Sequence, residues 1–321
     1  MAGKILIVNN TFEEELIERV RRAAEPLGFT VERAMSQKEG IEMADGVEIL
    51  FGVAPKVAFA AKDLKWLYLP MAGYEKMIQP GVLPEGDYIL THSSGAYGMS
   101  ISEHLVMASL MLFRREPLYF TAQLKKEWRP PVMIRSLKDA RITVLGTGDI
   151  GSNYARRVRG FEPACLTGVS RSGRSGEPAF DRVVAVKELD SALPETDLLV
   201  MCLPGTPETE GILSRERIGL LPENACVINV GRGSAIDEEA LVEALNSERL
   251  GGAALDVMRN EPLPEDDPLW TAKNVIITPH NSGQHTIRWT REKLVSIFLE
   301  DLENYAAGRP MKYAVDRVKG Y

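Results

Sequence analysis

The stretch that most constrains the fold lies in mid-chain. An apolar run, Ile142 to Leu145, ends in Gly146-Thr147-Gly148-Asp149-Ile150-Gly151, and a helix-like segment from Ser152 to Arg159 comes next. The spacing G-x-G-x-x-G between a strand and a helix is that of a dinucleotide-binding turn. Its first glycine permits the tight turn, its second lets the backbone approach the pyrophosphate, and its third lets helix and strand pack closely. The phosphates then meet the positive end of the new helix. Strand, turn and helix together form the opening βα unit of a doubly wound α/β sheet. The motif's mid-chain position means that another structure is built before it.

That preceding third also alternates strand-like and helix-like segments. Lys4–Val8, Phe29–Val31, Val47–Phe51, Lys65–Leu69 and Tyr88–Thr91 read as short strands, and Thr11-Phe12-Glu13-Glu14 reads as a capping box opening a helix toward Pro26. A second box, Ser100 to Glu103, introduces an apolar helix from His104 to Phe113, and a polar segment runs from Arg114 to Asp139. After the glycine turn, strands are expected at Leu166–Val169, Leu198–Leu203, Cys226–Val230, Ala253–Val257 and Val275–Thr278, with a helix opened by Asp237. Such alternation implies parallel sheets with helices on both faces.

A last helix, Thr286 to Ala307, comes after the second sheet is complete and so is expected to return to the first. The expected architecture is α/β with two doubly wound parallel-sheet domains. A dinucleotide-binding domain, residues 99–285, is inserted into a discontinuous domain made of residues 1–98 and 286–321, and hinges are expected near Met99 and His285.

Composition narrows the class. A net charge of −7 argues against a general nucleic-acid binder, which normally shows a basic face. No apolar run approaches the roughly 20 residues of a membrane helix. Lys4 is followed only by Ile5–Val8 before Asn9 and Asn10, so no secretory leader is expected. The three cysteines, Cys165, Cys202 and Cys226, sit in apolar runs without metal or disulfide spacing, so free thiols, no metal and a cytoplasmic setting are expected.

The residues after the second strand of the glycine unit narrow the cofactor. An NAD site places a carboxylate there for the ribose 2′-hydroxyl. This chain has Ser170-Arg171-Ser172 instead. Arg and Ser can hold a 2′-phosphate through charge-assisted hydrogen bonds, so NADP(H) is preferred and NAD(H) remains possible.

Three further segments carry polar residues at strand ends, the places where open α/β sheets bind ligands. Arg232 stands between Gly231 and Gly233, Glu261 comes after Leu255-Asp256-Val257, and His280 comes after Ile277-Thr278-Pro279. Together they suit carbonyl reduction. Arg232 would hold a carboxylate and polarise the neighbouring carbonyl, His280 would donate the proton, and Glu261 would pair with His280 and fix its tautomer. His92, His104 and His285 compete for the proton-donor role.

Taken in order, these segments resemble the D-isomer-specific 2-hydroxyacid dehydrogenases, the group that includes the NADP-preferring glyoxylate/hydroxypyruvate reductases. The signatures are the glycine turn, Leu203-Pro204-Gly205-Thr206, Asn229 to Ser234, Asp256 with Glu261-Pro262-Leu263-Pro264, and Thr278 to Gly283. The resemblance implies Arg232, Glu261 and His280 as catalytic residues. It puts Thr206 near the cofactor phosphates, Leu203 and Pro204 among the cofactor-binding residues, and Asp256 near the nicotinamide amide. It puts the backbone of Met71-Ala72-Gly73-Tyr74 toward the substrate carboxylate, with Arg232 and His280 also on the substrate.

The resemblance also implies a homodimer, with the helix after Ser100 at its interface, and a small 2-keto or 2-hydroxy acid as substrate. Tyr74-Glu75 stands where the family often has Val-Asp, so Tyr74, with Val53 and Trp128, is expected to shape the pocket. Asn281 replaces the small apolar residue that often follows the catalytic histidine. Alternatives are an NAD-dependent D-2-hydroxyacid or phosphoglycerate dehydrogenase, or a nucleotide-sensing protein like the corepressors of the superfamily. Formate dehydrogenases pair their histidine with Gln, which Glu261 argues against.

Overall fold

The computed structural model describes residues 3–315. The chain divides into two compact units. One is Met1–Tyr97 with Gln284–Tyr321, and the other is Gly98–Gly283. The changeovers fall one and two residues before the 98/99 and 285/286 junctions read from the sequence.

The first unit runs β1 (Gly3–Val8), α1 (Glu14–Ala24), β2 (Phe29–Ala34), α2 (Gln37–Glu42), β3 (Val47–Phe51), α3 (Pro55–Ala60), β4 (Trp66–Tyr68) and β5 (Ile89–Thr91). Its five strands form one parallel sheet in the order β2-β1-β3-β4-β5. The central strands β1, β3 and β4 are short, apolar and largely buried, as parallel sheets require, whereas the edge strand β2 carries Thr30, Glu32 and Arg33. Leu6, Leu50, Leu67 and Leu90 lie in one core with Val57, Met77 and Tyr74.

The second unit contains α4 (Gly98–Phe113), α5 (Glu116–Leu124), β6 (Arg141–Leu145), α6 (Asp149–Val158), β7 (Cys165–Ser170), β8 (Arg182–Ala185), α7 (Leu189–Ala192), β9 (Leu198–Met201), α8 (Arg215–Leu220), β10 (Cys226–Asn229), α9 (Glu238–Asn246), β11 (Gly252–Leu255) and β12 (Val275–Ile277). Its parallel sheet has the order β12-β11-β10-β9-β6-β7-β8. Strand order reverses around β6, with β7 and β8 built to one side and β9 to β12 to the other. A crevice opens at such a switch point, outside the carboxyl ends of the strands. The glycine turn occupies it.

Helix α10 (Arg288–Ala306) returns to the first unit. Its Phe298 ring stacks on Trp66 at 4.9 Å and lies 4.8 Å from Phe51, and the Tyr68 hydroxyl donates to Leu294 O at 2.7 Å. Among the described residues no helix is long and apolar enough to cross a membrane.

Both capping boxes differ from the sequence reading. Helix α1 starts at Glu14 with Glu13 as its cap residue, two positions after Thr11. The Thr11 amide and hydroxyl and the Phe12 amide all donate to Asn9 Oδ1, forming an Asx turn. Glu13 is drawn instead to Arg291 on α10, whose guanidinium holds the carboxyl below its usual range. Helix α4 opens at Gly98 rather than near Ser100, because Asp149 Oδ2 from the start of α6 accepts the Gly98 amide at 2.8 Å. Ser102, now inside the helix, donates back to Met99 O. Besides the short helices α2, α3, α7 and α8, two elements are not expected from the sequence. Helix α5, with Pro117 in its first turn, lies within the polar segment 114–139, and the four-residue β8 closes the sheet edge.

Candidate active site

The glycine turn has the shape that its spacing implies. Gly146 has φ +104°, and a Cβ there would lie 2.8 Å from Cys202 O, so no other residue fits. A Cβ on Gly151 would lie 2.0 Å from Gly146 O, whereas one on Gly148 would meet nothing within 4 Å. Two glycines are therefore consumed by packing, and Gly148 leaves open space over the start of α6 where a pyrophosphate can approach the backbone. Asp149 and Ile150 form the first turn of α6, and the Asp149 carboxylate is also bonded to Gly98 and Asn153.

At the end of β7, Ser170 shapes the turn rather than standing free in it. Its hydroxyl accepts the Arg174 amide at 3.0 Å and donates to Arg174 O at 2.9 Å. This leaves Arg171 and Ser172 exposed on the loop, with no carboxylate in the segment 170–174. The loop after β9 carries Leu203, Pro204 and Thr206. Thr206 donates its amide to Thr209 Oγ1, and Leu203 lies against Gly231. The Glu208 carboxyl is held below its usual range by the Thr206 hydroxyl and by the charge of Arg171. These features fit a phosphorylated dinucleotide, with Gly146–Gly151 on the pyrophosphate and Arg171 on a ribose phosphate.

The candidate reacting residues come from the adjacent strands β10, β11 and β12, whose ends are in register: Asn229 pairs with Leu255, and Leu255 with Ile277. Asn229, fully buried, holds the first loop by donating to Arg232 O at 2.8 Å and accepting the Gly231 amide at 3.0 Å. Arg232 is half-buried, and its Nη1 donates to Gly231 O. At Gly233 a Cβ would lie 1.9 Å from Met258 C, so the Arg232 loop sits directly on the backbone leading to Glu261. Glu261 divides its carboxylate. Oε1 accepts the Met258 amide at 3.2 Å, and Oε2 meets His280 Nδ1 at 2.9 Å.

A carboxylate oxygen only accepts, so this contact keeps a proton on Nδ1 and leaves Nε2 to the other side of the ring. The His280 side chain is 53% exposed, open enough to meet a substrate. His280 is also a non-glycine residue at φ +50°, a left-handed conformation that surrounding bonds must impose. Its amide donates to Asp256 O at 2.8 Å and to Thr278 O at 2.9 Å.

Asp256, which the resemblance puts near the nicotinamide amide, has its carboxylate turned to the loop that bears His280. It is 1% exposed. Its carboxylate accepts Thr278 Oγ1 at 2.6 Å, the Asn281 amide at 2.9 Å, and the amide and hydroxyl of Ser282. These bonds clamp the loop that presents His280. Asn229, Thr278 and Ser282 are thus parts of the site that the sequence reading left out as individual residues. Their signal was a polar side chain at the very end of an apolar run. Asn281 is exposed and joins through its amide.

In the first unit, Ala72, Gly73 and Tyr74 lie in the loop after β4. Ser93, after the neighbouring β5, holds this loop, its amide donating to Met71 O and its hydroxyl to Leu69 O. Among the described residues, the amides of Ala72, Gly73 and Tyr74 donate to nothing in the chain. Tyr74 is 7% exposed and packs into the core with Leu69, Met77 and Leu90, so its ring backs the loop rather than lining a pocket. Val53 is partly exposed and Trp128 wholly exposed.

The competing histidines are less suited to proton transfer. Burial lowers the pKa values of His92, His104 and His285. His285 Nε2 is taken by the Tyr97 hydroxyl at 2.7 Å.

A glycine turn at the switch point and an Arg, Glu and His on adjacent strand ends define a nicotinamide-dependent oxidoreductase. Comparison with known proteins gives the family. The model of the D-isomer specific 2-hydroxyacid dehydrogenase NAD-binding domain matches residues 106–282. Glyoxylate/hydroxypyruvate reductase A of Escherichia fergusonii is 31% identical over 275 residues, covering 83% of this chain and 85% of that protein.

A crystal structure of a D-isomer specific 2-hydroxyacid dehydrogenase family protein from Aeromonas salmonicida superposes with a TM-score of 0.85 at 32% identity, covering 99% and 100% of the two chains. The NADPH-dependent glyoxylate/hydroxypyruvate reductase of Sinorhizobium meliloti, solved with NADP and sulfate, superposes with a TM-score of 0.79 at 28% identity, covering 99% and 100%. The chain belongs to the D-isomer specific 2-hydroxyacid dehydrogenase family and is an NAD(P)-dependent oxidoreductase.

Proposed function

We propose that this enzyme reduces small 2-keto acids of the glyoxylate and hydroxypyruvate kind to D-2-hydroxy acids, with NADPH preferred over NADH. The observation that carries the proposal is the 2.9 Å contact of Glu261 Oε2 with His280 Nδ1, on a loop next to the one bearing Arg232. The bound nicotinamide supplies the hydride. Arg232 would pair with the substrate carboxylate and polarise the adjacent carbonyl. His280 would give the Nε2 proton to the carbonyl oxygen as it becomes a hydroxyl, and Glu261 would stabilise the imidazolium before transfer. The unbonded amides of Ala72, Gly73 and Tyr74 suit reception of a carboxylate, as backbone N–H groups do for many anions. Asp256 serves by holding His280 in place.

The NADPH preference is supported by Arg171 and the missing carboxylate after β7, and by the cofactor of the Sinorhizobium reductase. A homodimer is part of the reading. Exposed apolar side chains lie beyond α4, with Leu124 87%, Trp128 100% and Met133 90% exposed, which a second copy could cover. A reducing, cytoplasmic setting fits three free cysteines, of which Cys226 has its thiol pushed up to about 11 by burial.

The test is oxidation of NADPH and of NADH with a panel of 2-keto acids. Turnover with kcat/KM higher for NADPH is expected, and no turnover with any acid would overturn the proposal. Arg171→Ala should weaken NADPH by tenfold or more, as loss of a charge-assisted contact worth about 1.5–3 kcal/mol implies, and leave NADH nearly unchanged.

A further inference from the structure

The residues after α10 turn back along the first sheet. Ala314 bridges Thr91 of β5 in antiparallel fashion, the His92 amide donates to Tyr313 O at 3.2 Å, and the Val315 amide donates to Leu90 O at 2.8 Å. A strap thus closes the β5 edge of the sheet. Its near end is fixed to α10, where buried Asp301 accepts the Lys312 amide at 2.8 Å through Oδ1. The strap carries one aromatic side chain into the unit. The Tyr313 ring meets the His92 ring edge-on, with centroids 5.9 Å apart and planes at 67°. Tyr74 also packs on His92, with ring centroids 4.6 Å apart and planes tilted by 42°.

The sequence Tyr313, His92, Tyr74 therefore links the end of the described chain to the loop whose amides are unbonded. We infer that this aromatic cluster positions the loop 71–74, so that Tyr313 and His92 are positioning residues that set the affinity for the substrate carboxylate. The inference rests on the proposed reading of that loop as the carboxylate receiver. The Tyr74 amide belongs to the loop and its ring to the cluster, so holding the ring restrains the backbone that carries the N–H. His92 acts here as a ring. Burial favours its uncharged form, and its Nδ1 accepts the Ser94 amide at 3.3 Å.

Substitutions at Tyr313 separate this role from a general structural one. In Tyr313→Ala the cluster loses its outer ring. The expected result is a KM for the 2-keto acid raised about five- to tenfold, the size of one aromatic pair, with kcat and the KM for NADPH within about twofold. Amide hydrogen exchange in residues 71–75 should quicken. Tyr313→Phe keeps the ring and should match the wild type on every measure, and His92→Leu should behave like Tyr313→Ala. Thermal melts establish that each variant is folded.

Unchanged KM and unchanged loop exchange in Tyr313→Ala would overturn the inference. So would equal damage in Tyr313→Phe, or a fall in kcat at constant KM. A wild-type enzyme that reduces no 2-keto acid would instead overturn the functional reading. Loop exchange that rises in Tyr313→Ala and not in Tyr313→Phe would still support the positioning role.

Discussion

The two sheets present their candidate functional loops from the same place, the carboxyl ends of parallel strands, but they offer different chemistry. The second unit offers side chains. Arg232, Glu261 and His280 stand at the ends of β10, β11 and β12, and Asn229, Asp256, Thr278 and Ser282 brace them. The first unit offers the amides of Ala72, Gly73 and Tyr74, whose side chains do no chemistry in the proposed reaction. The loop of the second unit is clamped by hydrogen bonds to a buried carboxylate. The loop of the first is backed by rings. Side-chain chemistry can be removed by one substitution. Backbone chemistry survives most substitutions and fails only when the N–H itself is lost or turned.

That contrast can be broken most directly at His280. His280→Gln removes the proton donor while keeping a side chain able to hydrogen-bond Glu261. kcat should fall by roughly 10²–10⁴. Wild-type turnover in this variant would remove the distinction between the units altogether.

Ala72 sharpens the other side. Ala72→Pro deletes one amide donor and should lower kcat/KM for the keto acid by roughly tenfold or more, since an unmet charged partner costs about 1–3 kcal/mol. Ala72→Ser keeps the amide and should stay within about threefold. Equal losses in both variants would mean that the side chain at this position matters and that the loop does not act through its backbone. Steady-state kinetics with the best substrate of the panel decides both cases.

The smallest effect is one of stability. His92 and His285 in the first unit and His104 in the second all have pKa values lowered by burial. A group lowered in this way binds its proton more weakly folded than unfolded. Its stabilising contribution is full above the ordinary imidazole pKa, roughly 6.5, and is lost as pH falls through the folded value. The melting temperature should therefore drop by a few degrees as the pH is lowered across that window. His92→Phe should flatten part of the drop, measured by circular dichroism melts. A melting temperature that rises on acidification would contradict the burial of these rings.

Much of the second unit was legible because the chemistry of a dinucleotide site obliges particular residues to stand in a particular order. The glycine turn, Arg232, Glu261 and His280 could be named from the chain, and the contact between Glu261 and His280 is in the structure. Helix starts were harder to read. Thr11 and Ser100 have the local pattern of caps, but Asn9 claims the first segment and Asp149, far along the chain, claims the second. A capping box competes with every other acceptor that the fold brings near, and those acceptors have no fixed sequence distance. Tyr74 stands where the family often has a smaller residue, which by itself suggests a ring lining a pocket. The core of the first unit had room for the ring, and burial of an aromatic surface outweighs its exposure beside a loop.

The sequence by itself determined the α/β class, the dinucleotide turn and the candidate catalytic residues, because each depends on periodicity or on residue types that no other residue can replace. Only the tertiary structure decided that Asp256 bonds the histidine loop and that Tyr313, beyond the last helix, meets the His92 ring that packs on Tyr74. Both depend on which groups the folded chain brings within hydrogen-bond or ring contact. Those distances are set by the packing of whole sheets and helices rather than by any run of neighbouring residues.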